Sequence, residues 1–190
     1  MRRQATAPMA RGSTVQTTLE FIRQGFGEDE VRAILEQLTE EDRRQLLTAG
    51  TTDFLPYDRV IALWSAADAR LSPRRPNWME EAGAFAIASL GQRLYGGIIR
   101  KQSPVEFMTQ SVSLFRLYYS QGSIEPVQAE PGRAVVRLSG MDALGPLFCA
   151  RQTGGWRCAL ELAGGREVRA KHVRCTFEGD AFCEWEVRWA

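Results

Sequence analysis

Four cysteines and one histidine lie in the last quarter of the chain and carry its most specific chemistry. They are Cys149, Cys158, His172, Cys175 and Cys183. Thiolates and imidazole nitrogens are ligands that zinc prefers, and free cysteines are also typical of a buried core. In a reducing cytoplasm such clustering argues against a disulfide framework. The pattern therefore leaves two interpretations, a metal site or a set of core thiols.

Enzyme chemistry finds little support in the sequence. A single histidine without a nucleophile elbow gives no Ser-His-Asp pattern, and there is no glycine-rich phosphate loop. The net charge is +1, from 24 basic and 23 acidic residues, so no overall field favours nucleic acid or anionic lipid. The apolar stretches are far shorter than the roughly 20 residues that span a bilayer, and the N-terminus has no apolar signal segment. We therefore expect a cytoplasmic binding protein that is not an enzyme.

The first two thirds of the sequence has the periodicity of helices. Residues 1–13 are predicted to be a flexible tail, and residues 14–122 a helical region. Thr39 is a predicted helix start, and Ser103 opens a capping box with proline at the first helical position. Asn77 is expected to cap a further helix that runs to Lys101.

The hydrophobic period changes after residue 122. Four strands are predicted, with one helix over about 144–163 between the second and the third. Asp142 is the predicted cap of that helix. The order predicts an α+β fold, in which a helical N-terminal half packs with a four-stranded antiparallel sheet and a crossing helix. The predicted strands cover residues 124–129, 133–139, 166–177 and 183–189.

The cysteine-containing segment resembles a known family. After Cys149 comes a helix that ends at Gly164-Gly165, then a strand, a turn at Gly179-Asp180 and the run Cys183-Glu184-Trp185. This arrangement resembles the 4-vinyl reductase-like domain, a small-molecule-binding domain of phenol-responsive transcriptional activators and chlorophyll-pathway proteins. The close match covers about 40 residues. The whole chain is also similar to an uncharacterised myxobacterial-type paralogous family.

The resemblance implies a structural zinc. In the phenol-sensing relatives three cysteines and one glutamate bind the ion, and by position the ligands here are Cys149, His172, Cys175 and Cys183. His172 replaces the glutamate, and three cysteines with one histidine are also a common zinc set. Three residues apart on a strand, His172 and Cys175 point to opposite faces, so a shared ion requires a bulge between them. Four core thiols with a surface histidine remain the alternative.

The resemblance also implies a pocket between helices and sheet that holds a small apolar or aromatic molecule. Aromatic residues at helical spacing are equally typical of an ordinary core. The implied function is a sensory or regulatory ligand-binding protein. The alternative is a protein–protein adaptor or dimerisation module that uses the Gly/Ala-rich face of the helix over residues 77–101, and a homodimer is expected. The expected pocket residues are Phe107, Phe115, Tyr118, Tyr119, Phe148 and Trp156.

Overall fold

Helices make up most of the chain up to Tyr118, and an antiparallel sheet with one long helix makes up most of the rest. The computed structural model describes residues 7–91, 93, 103–141 and 145–190. The predicted fold class, α+β, is confirmed. None of the described helices combines the length and apolar character needed to cross a bilayer. The elements in chain order are β1 (Met9–Arg11), α1 (Gly12–Phe26), α2 (Glu28–Leu35), α3 (Glu40–Thr48), β2 (Phe54–Pro56), α4 (Tyr57–Leu71), α5 (Trp78–Ala86), α6 (Pro104–Tyr118), β3 (Ser123–Glu130), β4 (Arg133–Ser139), α7 (Pro146–Leu162), β5 (Arg169–Arg174) and β6 (Cys183–Arg188).

Two predicted helix starts are confirmed by their cap hydrogen bonds. The hydroxyl of Thr39 accepts a hydrogen bond from the backbone N–H of Asp42 at 3.1 Å, at the start of α3. Ser103 and Glu106 form a complete capping box at the start of α6. Both caps satisfy backbone N–H groups that have no partner within the helix, which is why such short signals can be recognised in a sequence.

The predicted cap at Asn77 is wrong. Its side chain makes no cap hydrogen bond, because its backbone (φ −94°, ψ 14°) departs from the extended conformation of an N-cap residue. α5 starts at the next residue and passes after Ala86 into a π-helical turn over Ile87–Gly91. Residues 92 and 94–101, the remainder of the predicted helix apart from residue 93, lie outside the described residues.

The larger sheet has the strand order β3-β4-β6-β5, and every neighbouring pair is antiparallel. The four predicted strands are therefore confirmed, although β5 starts three residues later and ends three residues earlier than predicted. In β6 the side chains of Cys183, Trp185 and Val187 are buried and alternate with less buried neighbours, as the sequence predicted. α7 packs on the buried face through a hydrogen bond of 2.9 Å from Nε1 of Trp185 to the Thr153 hydroxyl. Asp142, the predicted cap of α7, lies outside the described residues.

Residues 9–13 are not part of a flexible tail, contrary to the prediction. They form β1, which pairs antiparallel with β2, and the first turn of α1. Ala10 is fully buried. The backbone N–H of Gly12 donates to the carbonyl of Asp53 at 2.8 Å, and a Cβ added to Gly12 would lie 2.2 Å from the carbonyl oxygen of Gly50. A three-residue strand shows too little alternation to be recognised in a sequence.

α5 and α7 cross with their backbones in contact at two glycines. A Cβ added to Gly83 would lie 2.0 Å from the carbonyl oxygen of Arg151, and one added to Gly154 would lie 1.7 Å from the carbonyl oxygen of Glu80. Gly83, one residue of the small-residue face, therefore packs within the chain, whereas Ala88 on that face is exposed. The homodimer stays a prediction.

Candidate functional site

Four sulfur and nitrogen donors meet where α7 packs against β5 and β6. Donor atoms of Cys149, His172, Cys175 and Cys183 all lie within 4.8 Å of one another. The sulfur atoms of Cys149 and Cys183 are 3.7 Å apart. All cysteines of the chain are free thiols, and Cys158, the fourth, is buried on α7 outside this group. The structure thus brings together the residues that the resemblance grouped.

A bulge in β5 allows His172 and Cys175 to reach the same place. The pairing register between β5 and β6 shifts between His172 and Arg174. The chain then leaves the strand, and the backbone N–H of Cys175 donates to a carboxylate oxygen of Asp180 at 2.8 Å. This is the irregularity that the three-residue spacing required.

We call Cys149, His172, Cys175 and Cys183 the thiol cluster. Its surroundings favour the neutral forms of Cys149 and His172. Burial raises the pKa of Cys149, and the neighbouring thiols of Cys183 and Cys175 raise it further. The ring of His172 stacks on Trp185 with 4.7 Å between centroids, and its Nε2 is buried without a hydrogen-bond partner in the described structure. Burial lowers the pKa of His172, and the carboxylates of Glu178 and Asp180 oppose that change.

A cavity of about 110 Å³ lies between α1, α5, α6 and α7. Five of the six aromatic residues predicted to bind a ligand line it, whereas Phe148 does not. Phe148 is fully buried and packs with its ring edge-to-face against Tyr57 and Tyr119. A binding role for these aromatic residues stays a prediction. The five that line the cavity are Phe107, Phe115, Tyr118, Tyr119 and Trp156.

The polar side of the cavity centres on Arg151, a residue that sequence reasoning missed. Its side chain is buried, and its guanidinium donates to the hydroxyls of Thr17 at 2.9 Å and Thr18 at 3.3 Å. Burial raises the pKa of Tyr119 beside it, while Arg151 and the Thr14 hydroxyl oppose that rise. Arg151 follows Phe148 by three residues, the helical step to the same face. That step was the signal that could have placed it inward.

Several solved H-NOX proteins share the fold of this chain. The Fe(II) unliganded H-NOX protein from K. algicida is 11% identical with a TM-score of 0.72, over 95% of this chain and 96% of that one. An H-NOX protein from S. oneidensis in the Fe(II)NO ligation state is 14% identical with a TM-score of 0.72, over 95% and 99%. A third structure, from work probing the function of heme distortion in the H-NOX family, is 12% identical with a TM-score of 0.70, over 94% of each chain. No protein-family model and no curated protein matches the chain. The similarity is therefore one of fold.

Two predictions that came from the sequence resemblance are corrected by this comparison. The fold neighbours are H-NOX proteins and not 4-vinyl reductase-like domains. The sequence resemblance rested on about 40 residues, whereas the structural similarity covers 94–95% of the chain. The structural zinc is wrong as the cofactor, because these neighbours are described with iron and heme. The assignment of metal ligands to Cys149, His172, Cys175 and Cys183 is untested and stays a prediction.

The described residues around the cavity do not fit a heme. Heme iron needs an axial histidine, cysteine, methionine or tyrosinate. His172 is the only histidine of the chain and lies in the thiol cluster, and no cysteine or methionine lines the described cavity walls. The cavity walls hold two tyrosines, Tyr118 and Tyr119, and burial raises the pKa of Tyr119, which disfavours its tyrosinate form. The cavity of about 110 Å³ is also far below the roughly 300 Å³ at which sites for drug-sized ligands begin.

Proposed function

We propose that the chain is a sensory ligand-binding protein that holds a small molecule directly in the cavity between α1, α5, α6 and α7, without a heme iron. The single observation that carries this proposal is the cavity itself, which combines aromatic walls with a buried guanidinium. Its fold is shared with a protein described with NO on Fe(II), which supports a ligand-binding role. The function is binding, and no catalytic step is assigned.

A ligand in this cavity would contact elements from both halves of the chain. Ser13 and Thr14 reach it from α1, Phe107 and Phe115 from α6, and Trp156 from α7. Occupancy would therefore change the packing free energy between α7 and the N-terminal helices. A sensor needs such a difference in free energy between its states, because a ligand shifts an equilibrium only by its differential affinity.

The adaptor alternative has less support. Its expected contact surface was the small-residue face of the helix that includes α5, and Gly83 on that face packs against the backbone of Arg151.

The test uses the purified full chain and three single-ring probes: toluene, phenol and benzoate. We expect at least one probe to raise the melting temperature in a concentration-dependent way. The variant Ala86→Leu, which fills the cavity, should abolish the shift, whereas Ala66→Leu on α4, outside the cavity lining, should retain it. A hemin titration followed in the Soret region should show no stoichiometric binding.

Two results would overturn the proposal. One is a melting temperature that none of the probes raises. The other is stoichiometric hemin binding that Ala86→Leu prevents, because heme would then be the ligand of this cavity.

A further inference from the structure

Arg151 is a buried cation without an acidic partner among the described residues. Its exposed fraction is 6%, and every described ion pair involves other basic residues. Burial lowers the pKa of Arg151, yet a guanidinium keeps its proton at any physiological pH. A buried charge without a counter-ion is strongly unfavourable, so its retention calls for an explanation.

The neighbours of Arg151 on α1 supply neutral acceptors only. The hydroxyls of Thr17 and Thr18 accept hydrogen bonds from it while they donate their own protons to the carbonyls of Ser13 and Thr14, both at 2.8 Å. These contacts orient the guanidinium but leave its charge in place. The ring of Trp64 adds a cation–π contact, with 5.5 Å from the guanidinium carbon to the ring centroid.

A second donor without an acceptor belongs to the same cavity. Trp156 lines it from α7, and the Nε1 of its indole is buried with no hydrogen-bond partner in the described structure. Few buried donors in native proteins lack a partner, and each one calls for an explanation. Trp156 therefore adds a second unsatisfied donor to the residues that line the cavity.

The remaining walls set the size and polarity of the molecule that fits. They are mostly apolar, with polar groups of Ser13, Thr14 and Gln152 among them, and the volume of the partly open cavity is about 110 Å³. An apolar cavity of about 150 Å³ holds benzene, so the space suits one small ring or a short branched chain. The apolar wall residues, apart from the aromatic residues already named, are Ala86, Ile87, Leu90 and Ala159.

From this arrangement we infer that the cavity binds a small monocarboxylate with an apolar body, whose carboxylate pairs with Arg151 and whose body packs against the aromatic walls. This inference names the ligand class of the function proposed above and rests on it. Arginine suits the task because its planar guanidinium matches a carboxylate with two parallel hydrogen bonds.

An internal carboxylate is the main competitor for Arg151. The residues that the structure leaves undescribed contain one acidic residue, Asp142. If Asp142 neutralised Arg151, no external anion would be needed. The variant Asp142→Asn separates these cases.

The experiment measures binding of benzoate, benzamide and toluene to the full chain at pH 7 by calorimetry and thermal shift. Benzoate should bind at least about tenfold more tightly than benzamide, which has the same shape without the charge. Arg151→Met keeps the apolar stem and should lose this preference while still binding toluene. Arg157→Met, on the same helix but outside the cavity lining, should keep it. Asp142→Asn should leave benzoate affinity unchanged.

The outcomes separate this inference from the proposed function. Equal affinity for benzoate and benzamide, or for benzoate and toluene, overturns the carboxylate class and leaves a ligand-binding cavity. If Asp142→Asn binds benzoate and the wild type does not, Asp142 is the counter-ion of Arg151, and the inference of an external carboxylate is also overturned. Absence of binding by all three probes overturns both. If Arg151→Met does not fold, the comparison of benzoate with benzamide on the wild type still tests whether the cavity prefers a carboxylate.

Discussion

Gly83 on α5 lies so close to Arg151 on α7 that a Cβ added to the glycine would sit 2.0 Å from the arginine carbonyl oxygen. Three residues further along α7, Gly154 stands in the same relation to the carbonyl of Glu80, at 1.7 Å. The two helices therefore touch through their backbones. This contact sets the position of α7 along and around its axis relative to α5, and therefore where the Arg151 side chain enters the cavity.

Replacing either contact glycine by alanine should destabilise the protein. A methyl group at Gly83 or Gly154 cannot be accommodated unless the helices move apart, and such overpacking costs about 1–3 kcal/mol or more. Gly155, the next residue on α7, is the matched control. The nearest atom to a Cβ there is 3.8 Å away, so Gly155→Ala should raise stability by up to about 1 kcal/mol through helix propensity. Urea unfolding of the three variants measures the difference, and equal effects would contradict the contact.

The capping box should contribute measurably to the stability of α6. Ser103→Ala removes the side-chain acceptor for the backbone N–H of Glu106 and should lower the free energy of unfolding by about 1 kcal/mol. Ser123→Ala, exposed at the start of β3, should change it by less than about 0.5 kcal/mol.

The capping box should also weaken in acid. The Ser103 backbone N–H and hydroxyl hold the pKa of Glu106 below its usual value. Its contribution is therefore complete above the usual glutamate pKa and is lost as the pH falls through the lowered value. The difference in unfolding free energy between wild type and Glu106→Gln, measured from pH 7 down to acid, should shrink as the pH falls, because only the charged Glu106 carboxylate gains from these contacts. A constant difference would contradict this explanation.

Local signals explain what the sequence predicted correctly. The capping box at Ser103 and the alternation in β6 each depend on residues within a few positions of one another, so they could be recognised without the fold. The bulge between His172 and Cys175 could likewise be stated in advance as a condition, because strand geometry allows few alternatives.

Contacts between distant segments explain what the sequence could not show. Arg151 meets Thr17 and Thr18 across more than 130 positions, and although its helical step from Phe148 points it inward, no local pattern shows which residues it meets there. Gly83 and Gly154 were visible as small residues, but whether such a face meets another chain or the same chain depends on the tertiary fold. The family resemblance failed for the same reason, since it rested on one local segment.

An ion-pair network between α2, α4 and the turn that follows α4 should make stability depend on pH. The side chain of Glu30 is only 10% exposed and pairs with Arg70 and Arg74. The hydrogen bond from Arg70 contributes most to lowering the pKa of Glu30, burial opposes it, and Arg74 lowers it further. The stabilisation is therefore present above the usual glutamate pKa and is lost as the pH falls through the lowered value.

Glu30→Gln should lower the free energy of unfolding by up to about 1 kcal/mol at pH 7, and by less as the pH falls. Asp29→Asn is the control, because Asp29 pairs with Arg32 at 3.2 Å while its side chain is 94% exposed. That variant should not differ measurably from wild type. A Glu30→Gln difference that does not change with pH would show that packing, rather than charge, is responsible.

The hydrogen bond between Trp185 and Thr153 should be the most costly single polar contact to remove between α7 and the sheet. Nε1 of Trp185 donates to the Thr153 hydroxyl at 2.9 Å, and that hydroxyl donates to the carbonyl of Cys149 at 2.9 Å. Both side chains are buried. Thr153→Val keeps the side-chain shape but leaves the indole N–H without an acceptor, which should cost about 1–3 kcal/mol.

Thr109→Val on α6 is the control, since Thr109 is exposed and its hydroxyl donates only to the carbonyl of Glu106 on the same helix. It should change stability by less than about 0.5 kcal/mol, and urea unfolding followed by tryptophan fluorescence compares the two. Similar losses of unfolding free energy in both variants would show that the hydrogen bond from the Trp185 indole does not contribute more than an ordinary hydroxyl contact.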